Sequence, residues 1–286
     1  MRCLVGGCLV VVACGEPATE PVADASTVDT GGSASETDAC LPAYAHCEVL
    51  WRYGEVGAEP VPSSRTVYDG CGLPVQIDAL DAAATALQTT QMDYGADPVR
   101  LLQARVDGDA YARPDGVDDV VSTYDYAADG RLDVIDRTFT NGAPPCSFLY
   151  VYEGADAFPE QLDDGCASPP VRYTYLRRSD GAVETETRDA GMDGTVESTL
   201  VSTLDAEGRP VEQVDQDAAG RVQVRSFYTW EDDRMLRAVS DFGDDGVDDT
   251  VIDYTYDSAG RSLTILLSAP VYGLSWAYEA EWVCGA

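Results

Sequence analysis

Asp245 to Arg261, DGVDDTVIDYTYDSAGR, decides the fold, because two further stretches repeat its layout residue for residue: Asp115 to Arg131, DGVDDVVSTYDYAADGR, and Asp193 to Arg209, DGTVESTLVSTLDAEGR. Each has an Asp-Gly turn, a run of β-branched and aromatic residues with polar ones interleaved, and a second turn ending Gly-Arg. That pattern reads as loop, strand, turn. The copies start 78 and 52 residues apart. Both offsets are multiples of 13 and of 26, so the copies are expected to be strands of one direction with their turns on one edge.

Outward from these copies, turn signals recur every 12 to 14 residues from Gly116 to Gly273. A turn of four or five residues then leaves about eight per strand, close to the usual length. The prediction is an all-β, repetitive antiparallel meander with a spacing of about 13 residues per strand and turn. Ile252, Tyr254 and Tyr256 fall on one face while Val251, Asp253 and Thr255 fall on the other. The tyrosine face is the expected core. Leu80 to Leu87, LDAAATAL, has helix-forming alanines, but it matches Leu204 to Val211, LDAEGRPV, in phase and is read as a turn between strands. So many strands cannot lie flat given normal twist. The expectation is a strongly curved open sheet or a partly closed barrel or shell, with a β-propeller as the alternative.

Tyr256-Asp257-Ser258-Ala259-Gly260-Arg261, Asp217-Ala218-Ala219-Gly220-Arg221 and Tyr126-Ala127-Ala128-Asp129-Gly130-Arg131 resemble the Tyr-Asp repeat of the RHS family, and Tyr68-Asp69-Gly70-Cys71-Gly72-Leu73 is a partial match. The resemblance implies β-hairpins of a long sheet that spirals into a hollow shell. The family's unit is nearer twenty residues than the spacing here. Its core-protease motif and a separate toxin domain are missing from this sequence.

The N-terminal segment MRCLVGGCLVVVAC has one Arg and then an apolar run too short to span a bilayer permanently. Residues 1–13 read as a signal peptide, and Val11-Val12-Ala13-Cys14 resembles a bacterial lipobox, which implies lipidation of Cys14. An ordinary secretory signal is the alternative, and either makes the protein exported. Gly15 rather than Asp after the Cys favours the outer membrane over the inner. Residues 14–39 lack aromatics and read as a lipidated Cys with a disordered tether, leaving 40–286 as a single β-repeat domain.

Acidic residues outnumber basic ones 51 to 18, for a net charge of -33. Phosphates would be repelled, which excludes nucleic acid as a partner. After Cys3, Cys8 and Cys14, six Cys remain in the exported part, an even number that allows up to three disulfides. Cys146 and Cys166 flank one insertion and are the first expected pair. A link from the N-terminal group (Cys40, Cys47, Cys71) to Cys284 would fasten the last strand.

Asp189, Asp193 and Glu197, and likewise Asp241, Asp245 and Asp249, put acids at loop positions 1, 5 and 9 with Gly at 6. That spacing suits calcium, although no Glu stands at position 12. The competing reading is that Asp and Gly are there as turn formers. The loop from Asp107 to Asp119 has acids in a different layout. No nucleophile elbow or phosphate loop is present, and the one histidine, His46, sits beside Cys47. The sixteen tyrosines and four tryptophans could form a carbohydrate-stacking surface or simply pack across strands. The sequence therefore reads as an envelope protein, lipid-anchored at the membrane, that acts as a binding or structural module for a protein or carbohydrate partner. The alternatives are a carboxylate-dependent hydrolase and a small RHS-like shell.

Overall fold

The computed structural model describes residues 44–285 apart from 97–98, 109–113, 155–157 and 178–181. The signal segment, Cys14 and the tether lie outside the described residues. The strands are β1 (Cys47–Glu55), β2 (Val61–Tyr68), β3 (Pro74–Leu80), β4 (Ala86–Ala96), β5 (Val99–Asp107), β6 (Val120–Tyr126), β7 (Leu132–Phe139), β8 (Cys146–Val151), β9 (Gln161–Asp164), β10 (Val171–Arg177), β11 (Val183–Ala190), β12 (Ser198–Leu204), β13 (Pro210–Asp217), β14 (Val222–Glu231), β15 (Arg234–Phe242), β16 (Thr250–Tyr256), β17 (Ser262–Ala269) and β18 (Leu274–Cys284).

Each strand pairs antiparallel with its neighbours in sequence, and β1 pairs with β18 from Cys47↔Cys284 to Glu55↔Trp276. The meander therefore closes fully into a ring of 18 strands. Full closure removes the unpaired edge that an open sheet of this size would expose. The propeller alternative is excluded by this single continuous sheet. β6, β12 and β16, the strands of the three repeated stretches, run in one direction, as their spacing predicts. Asp81 to Ala84 forms the turn between β3 and β4, so Leu80 to Leu87 is not a helix.

The two faces of the wall differ in burial. In β8, Phe148 and Tyr150 are half-buried while Ser147, Leu149 and Val151 are exposed, and the same alternation holds in β6 and β14. Among the described residues nothing packs outside this single closed layer, so the more buried face is the concave one. It carries Tyr124, Ile135, Phe148, Tyr150, Tyr254 and all four tryptophans, Trp51, Trp230, Trp276 and Trp282. The tyrosine face points inward, but it is not a packed core. Among the described residues, glycines aside, only ten apolar and five polar ones are buried, and most of the inner face stays half-exposed. Eighteen strands spaced by about 4.8 Å make a ring about 27 Å across at the backbone, and strand tilt widens it. The barrel is hollow.

The outer face is mixed, with ion pairs standing among exposed apolar residues such as Leu149, Val151, Leu176, Val201 and Phe227. Arg65 and Asp78, Arg237 and Asp253, and Arg172 and Asp163 are directly opposite cross-strand pairs with N···O distances of 2.5, 3.2 and 2.8 Å. Arg105–Asp93, Arg52–Glu281 and Arg225–Glu212 add further pairs. A wall spanning a bilayer carries an apolar outer band instead. These outward ion pairs interrupt any such band where they stand.

One turn explains the repeated Asp-x-x-Gly-Arg. In Asp205, Asp217 and Asp257 the Oδ1 accepts the backbone N–H groups two and four residues on, while Oδ2 takes the Nε of the closing Arg209, Arg221 or Arg261. Asp69 and Asp81 repeat the backbone part. The aspartate is needed for its two acceptor oxygens, and the arginine for its donor fork.

A second device links neighbouring hairpins along the rim where the even-numbered strands end. Tyr94, Tyr126, Tyr152 and Tyr256 each donate their hydroxyl to a backbone carbonyl at the start of the preceding strand, those of Pro74, Leu101, Leu132 and Met235, at 2.7 to 3.0 Å. Trp230 and Trp282 do the same through Nε1, to Pro210 and Ser262, both at 2.8 Å. Arg131, Arg209 and Arg261, which close the turns, lie over the rings of Tyr152, Trp230 and Trp282 at 4.6 to 5.7 Å. Burial pushes the Tyr94 hydroxyl up to about 12, so it stays a donor at any physiological pH. Tyr256→Phe is expected to cost about 1 kcal/mol, the worth of one such hydrogen bond, read as a lower urea midpoint with an unchanged slope.

Candidate functional site

The barrel offers two places for chemistry: the rim where the odd-numbered strands end, and the lumen. At the rim three acidic loops share one construction. Asp189 accepts the N–H groups of Asp193 and Gly194, Asp241 those of Asp245 and Gly246, and Asp107 those of Asp115 and Gly116, at 2.8 to 3.1 Å. The last acid of each loop reaches back: Glu197 to the N–H of Ala190, Asp249 to that of Phe242, Asp119 to that of Gly108. Gly116, Gly194 and Gly246 have φ of 89°, 88° and 82°, in the left-handed region that a side chain disfavours. The Asp107 loop, whose layout differs in sequence, has the same hydrogen bonds. Its insertion lengthens the path between the first and second acids without changing the end points.

The two calcium-spaced triads thus sit on one rim but in separate loops. Asp189, Asp193 and Glu197 bring one carboxylate oxygen each to within 4.8 Å of one another, and among the described residues no other group of three does so. The oxygens of Asp241, Asp245 and Asp249 do not converge in this way. Turn formation gives each oxygen of Asp189 and Asp241 a backbone N–H partner and leaves a second lone pair on each. The Cys146–Cys166 disulfide lies at this rim and ties the β7–β8 loop to the β9–β10 loop, as the sequence suggested. Cys47–Cys284 realises the expected link from the N-terminal group to the last strand, at the opposite rim. Cys71 is also disulfide-bonded.

The lumen is lined mostly by aromatic and aliphatic side chains. Around the closing seam, Tyr53 stacks on Tyr278 with ring centroids 5.7 Å apart, between Trp51 and Trp276. Nearer the rim, Tyr44, Tyr68 and Trp282 form a cluster with centroids 5.4 to 5.9 Å apart. His46 lies in that same region, its backbone N–H bonded to Asp69 O.

Across the ring the inner wall changes character, and sequence reasoning missed this. Glu186, Arg188 and Asp215 all lie on the inner face, Glu186 opposite Tyr175 and Leu200, Arg188 opposite Tyr173 and Ser198, and Asp215 opposite Leu200. Burial raises the Glu186 carboxyl above its ordinary range, with the nearby Asp215 charge adding to the effect, and burial raises Asp215 likewise. The missed signal was charge at inner-face positions: Glu186 and Arg188 alternate in phase with Ala190, where the pattern of the other strands calls for apolar residues.

Glu186 supplies a pH prediction. Below the ordinary glutamate range both folded and unfolded chains hold the proton, and burial carries no penalty. As the pH rises the unfolded chain ionises first, so stability falls until the folded-state carboxyl has ionised too. Glu186→Gln is therefore expected to raise the melting midpoint by a few degrees at neutral pH and to leave it unchanged well below the ordinary glutamate range.

No family model and no curated protein matches the sequence. Among solved structures, the chain is similar to a porin-like protein from Bacteroides uniformis ATCC 8492, with 11% identity, a TM-score of 0.44, and coverage of 86% of this chain and 99% of that one. A porin-like protein from Bacteroides vulgatus ATCC 8482 is similar at 10% identity and a TM-score of 0.37, covering 81% of this chain and 96% of that one.

Proposed function

We propose that the protein is a binding module of the cell envelope, held by lipid on Cys14 at the outer membrane, on its periplasmic face or at the cell surface, that takes a ligand into the lumen of its barrel. The observation that carries the reading is an inner wall of aromatic and aliphatic side chains left half-exposed, with no other layer packed against it among the described residues. Apolar surface of that extent, open to water, costs stability unless something fills it in use. The ion pairs of the outer face support a barrel that stands in water beside the membrane, at the end of the tether, rather than through it. The likeness to RHS repeats belongs to the same proposal, as a small shell that encloses a guest.

The test uses the four inner-face tryptophans as donors. The purified full chain is titrated with N-phenyl-1-naphthylamine, an apolar fluorescent reporter, and energy transfer from tryptophan is followed. Saturable transfer at a small fixed number of reporters per chain is expected. Transfer that rises without saturating, or none, would contradict a ligand-binding lumen. For the anchor, Cys14→Ser is expected to abolish palmitate incorporation and release the protein from membranes, and a variant that stays membrane-bound would contradict it.

Calcium is a second reading at one place only, because Asp189, Asp193 and Glu197 converge. If a cation binds there, millimolar calcium raises the melting midpoint relative to EDTA, and Asp193→Ala removes the shift. An equal midpoint in both would reduce the loop to a turn.

A further inference from the structure

The charged patch on the inner wall narrows the class of ligand, and the narrowing rests on the lumen being the binding site. Among the described residues, no hydrogen bond or ion pair within 4 Å joins the side chains of Glu186 and Arg188 to the protein, and Arg177 on the neighbouring strand is the cation whose charge reaches Glu186. They lie on adjacent inward positions of β11, half-buried, with Asp215 two strands away and the rings of Tyr173 and Tyr175 on the strand before. Gln213, the next inward position from Asp215, accepts the Tyr228 hydroxyl at 2.7 Å and donates to Ser202 at 3.1 Å.

Charged groups held away from bulk water are normally paired, since desolvation without compensation is costly. Here the Arg177 charge acts on Glu186 and the Arg188 charge on Asp215, yet neither the Glu186 nor the Arg188 side chain makes a hydrogen bond among the described residues, so their polar groups stay open to a ligand. A purely anionic ligand would meet two carboxylates in a chain of net charge -33, and a purely cationic one would meet Arg188 and Arg177. A ligand whose groups both donate and accept, and which is itself neutral, satisfies both. Hydroxyls have that property, since each is one donor and two acceptors. The ring faces of Tyr173 and Tyr175 supply the flat apolar surface that the C–H face of a sugar ring covers.

We infer that the inner-wall patch of Glu186, Arg188 and Asp215, with Tyr173 and Tyr175 beside it, is a binding site for a neutral saccharide. Carboxylates accept from its hydroxyls, the guanidinium donates to them, and the tyrosines carry the ring. Raised carboxyl groups fit the same picture, because a half-desolvated acid waits for hydroxyl donors that water supplies poorly there.

The experiment titrates the full chain by calorimetry and tryptophan fluorescence with three neutral oligosaccharides (maltohexaose, cellohexaose and xylohexaose) and with oligogalacturonate and spermidine. Saturable binding of at least one neutral oligosaccharide is expected, weakened at least tenfold by Glu186→Gln and by Arg188→Gln and unchanged by Thr187→Ala on the outer face. Glu186→Gln is the sharper variant, because it is expected to melt higher at neutral pH while binding more weakly, which loss of folding cannot mimic. If the naphthylamine reporter fills the lumen but no neutral saccharide binds, or only the charged probes do, the saccharide assignment fails and the lumen reading stands. If a saccharide binds equally well to both variants, the patch is not its site. If neither reporter nor saccharide binds, both readings fall.

Discussion

Cys47→Ser with Cys284→Ser is expected to destabilise the full chain by about 5 kcal/mol on a chain-entropy estimate, the largest effect of any change considered. Every other ladder in the ring joins strands that are consecutive in sequence, so each closes over a single connecting loop. β1 and β18 must find each other across the whole domain, and the disulfide spans 237 residues. It removes that search from the unfolded ensemble, whereas Cys146–Cys166, with a separation of 20, is worth about 3 kcal/mol on the same estimate. The comparison is the useful part. Urea unfolding of the two double-serine variants should give the lower midpoint to the Cys47/Cys284 pair. An equal or reversed order would mean that the seam is held by its nine backbone pairs and the Tyr44, Tyr68 and Trp282 cluster, with the disulfide adding little.

Asp78→Ala should cost about 3 kcal/mol. Asp78 is 1% exposed although it lies on the outer face. Its carboxylate takes Nε and Nη2 of Arg65 at 2.9 and 2.5 Å, Nε2 of Gln76 and Oγ1 of Thr89, which shield it from water. Removing it leaves four donor groups on three side chains without their acceptor. The full penalty for breaking a buried ion pair runs higher, but the Arg65 side chain is 40% exposed and can turn to solvent, which lowers it. Asp253→Ala, on the same face in a pair that is 49% and 40% exposed, is the contrast and should change stability by less than about 1 kcal/mol. A similar loss from both would show that burial of Asp78 does not govern its worth.

The hairpin architecture was legible in the sequence because one device repeats: an aspartate that binds two backbone N–H groups and an arginine, followed by a run of strict alternation. Asp205, Asp217 and Asp257 show why those residue types recur at that spacing. Direction and edge followed from the 26-residue offset. Closure was not legible beyond partial curling, since whether β18 meets β1 depends on twist accumulated over the whole ring and leaves no local mark. The reading of the tyrosine face as a core failed for the same reason: alternation marks the inward face but is silent on whether a second layer fills the space. Cys146–Cys166 was read from a short flanking separation, and the seam disulfide from the position of Cys284 near the chain's end. The inner charged patch went unread because Glu186, Arg188 and Asp215 are ordinary polar residues until the register puts them on the concave face.

The central claim is a hollow barrel whose inner face is reachable by small molecules only. It is tested most directly by placing single cysteines at two neighbouring positions of β12: Ser202→Cys, inward, and Val201→Cys, outward. Each is treated with a small methanethiosulfonate reagent and with a maleimide carried on a folded protein. The account predicts that Cys at 201 reacts with both and that Cys at 202 reacts with the small reagent alone. Reaction of 202 with neither would mean a filled core, and reaction with both an open sheet, and either result would contradict the barrel described here.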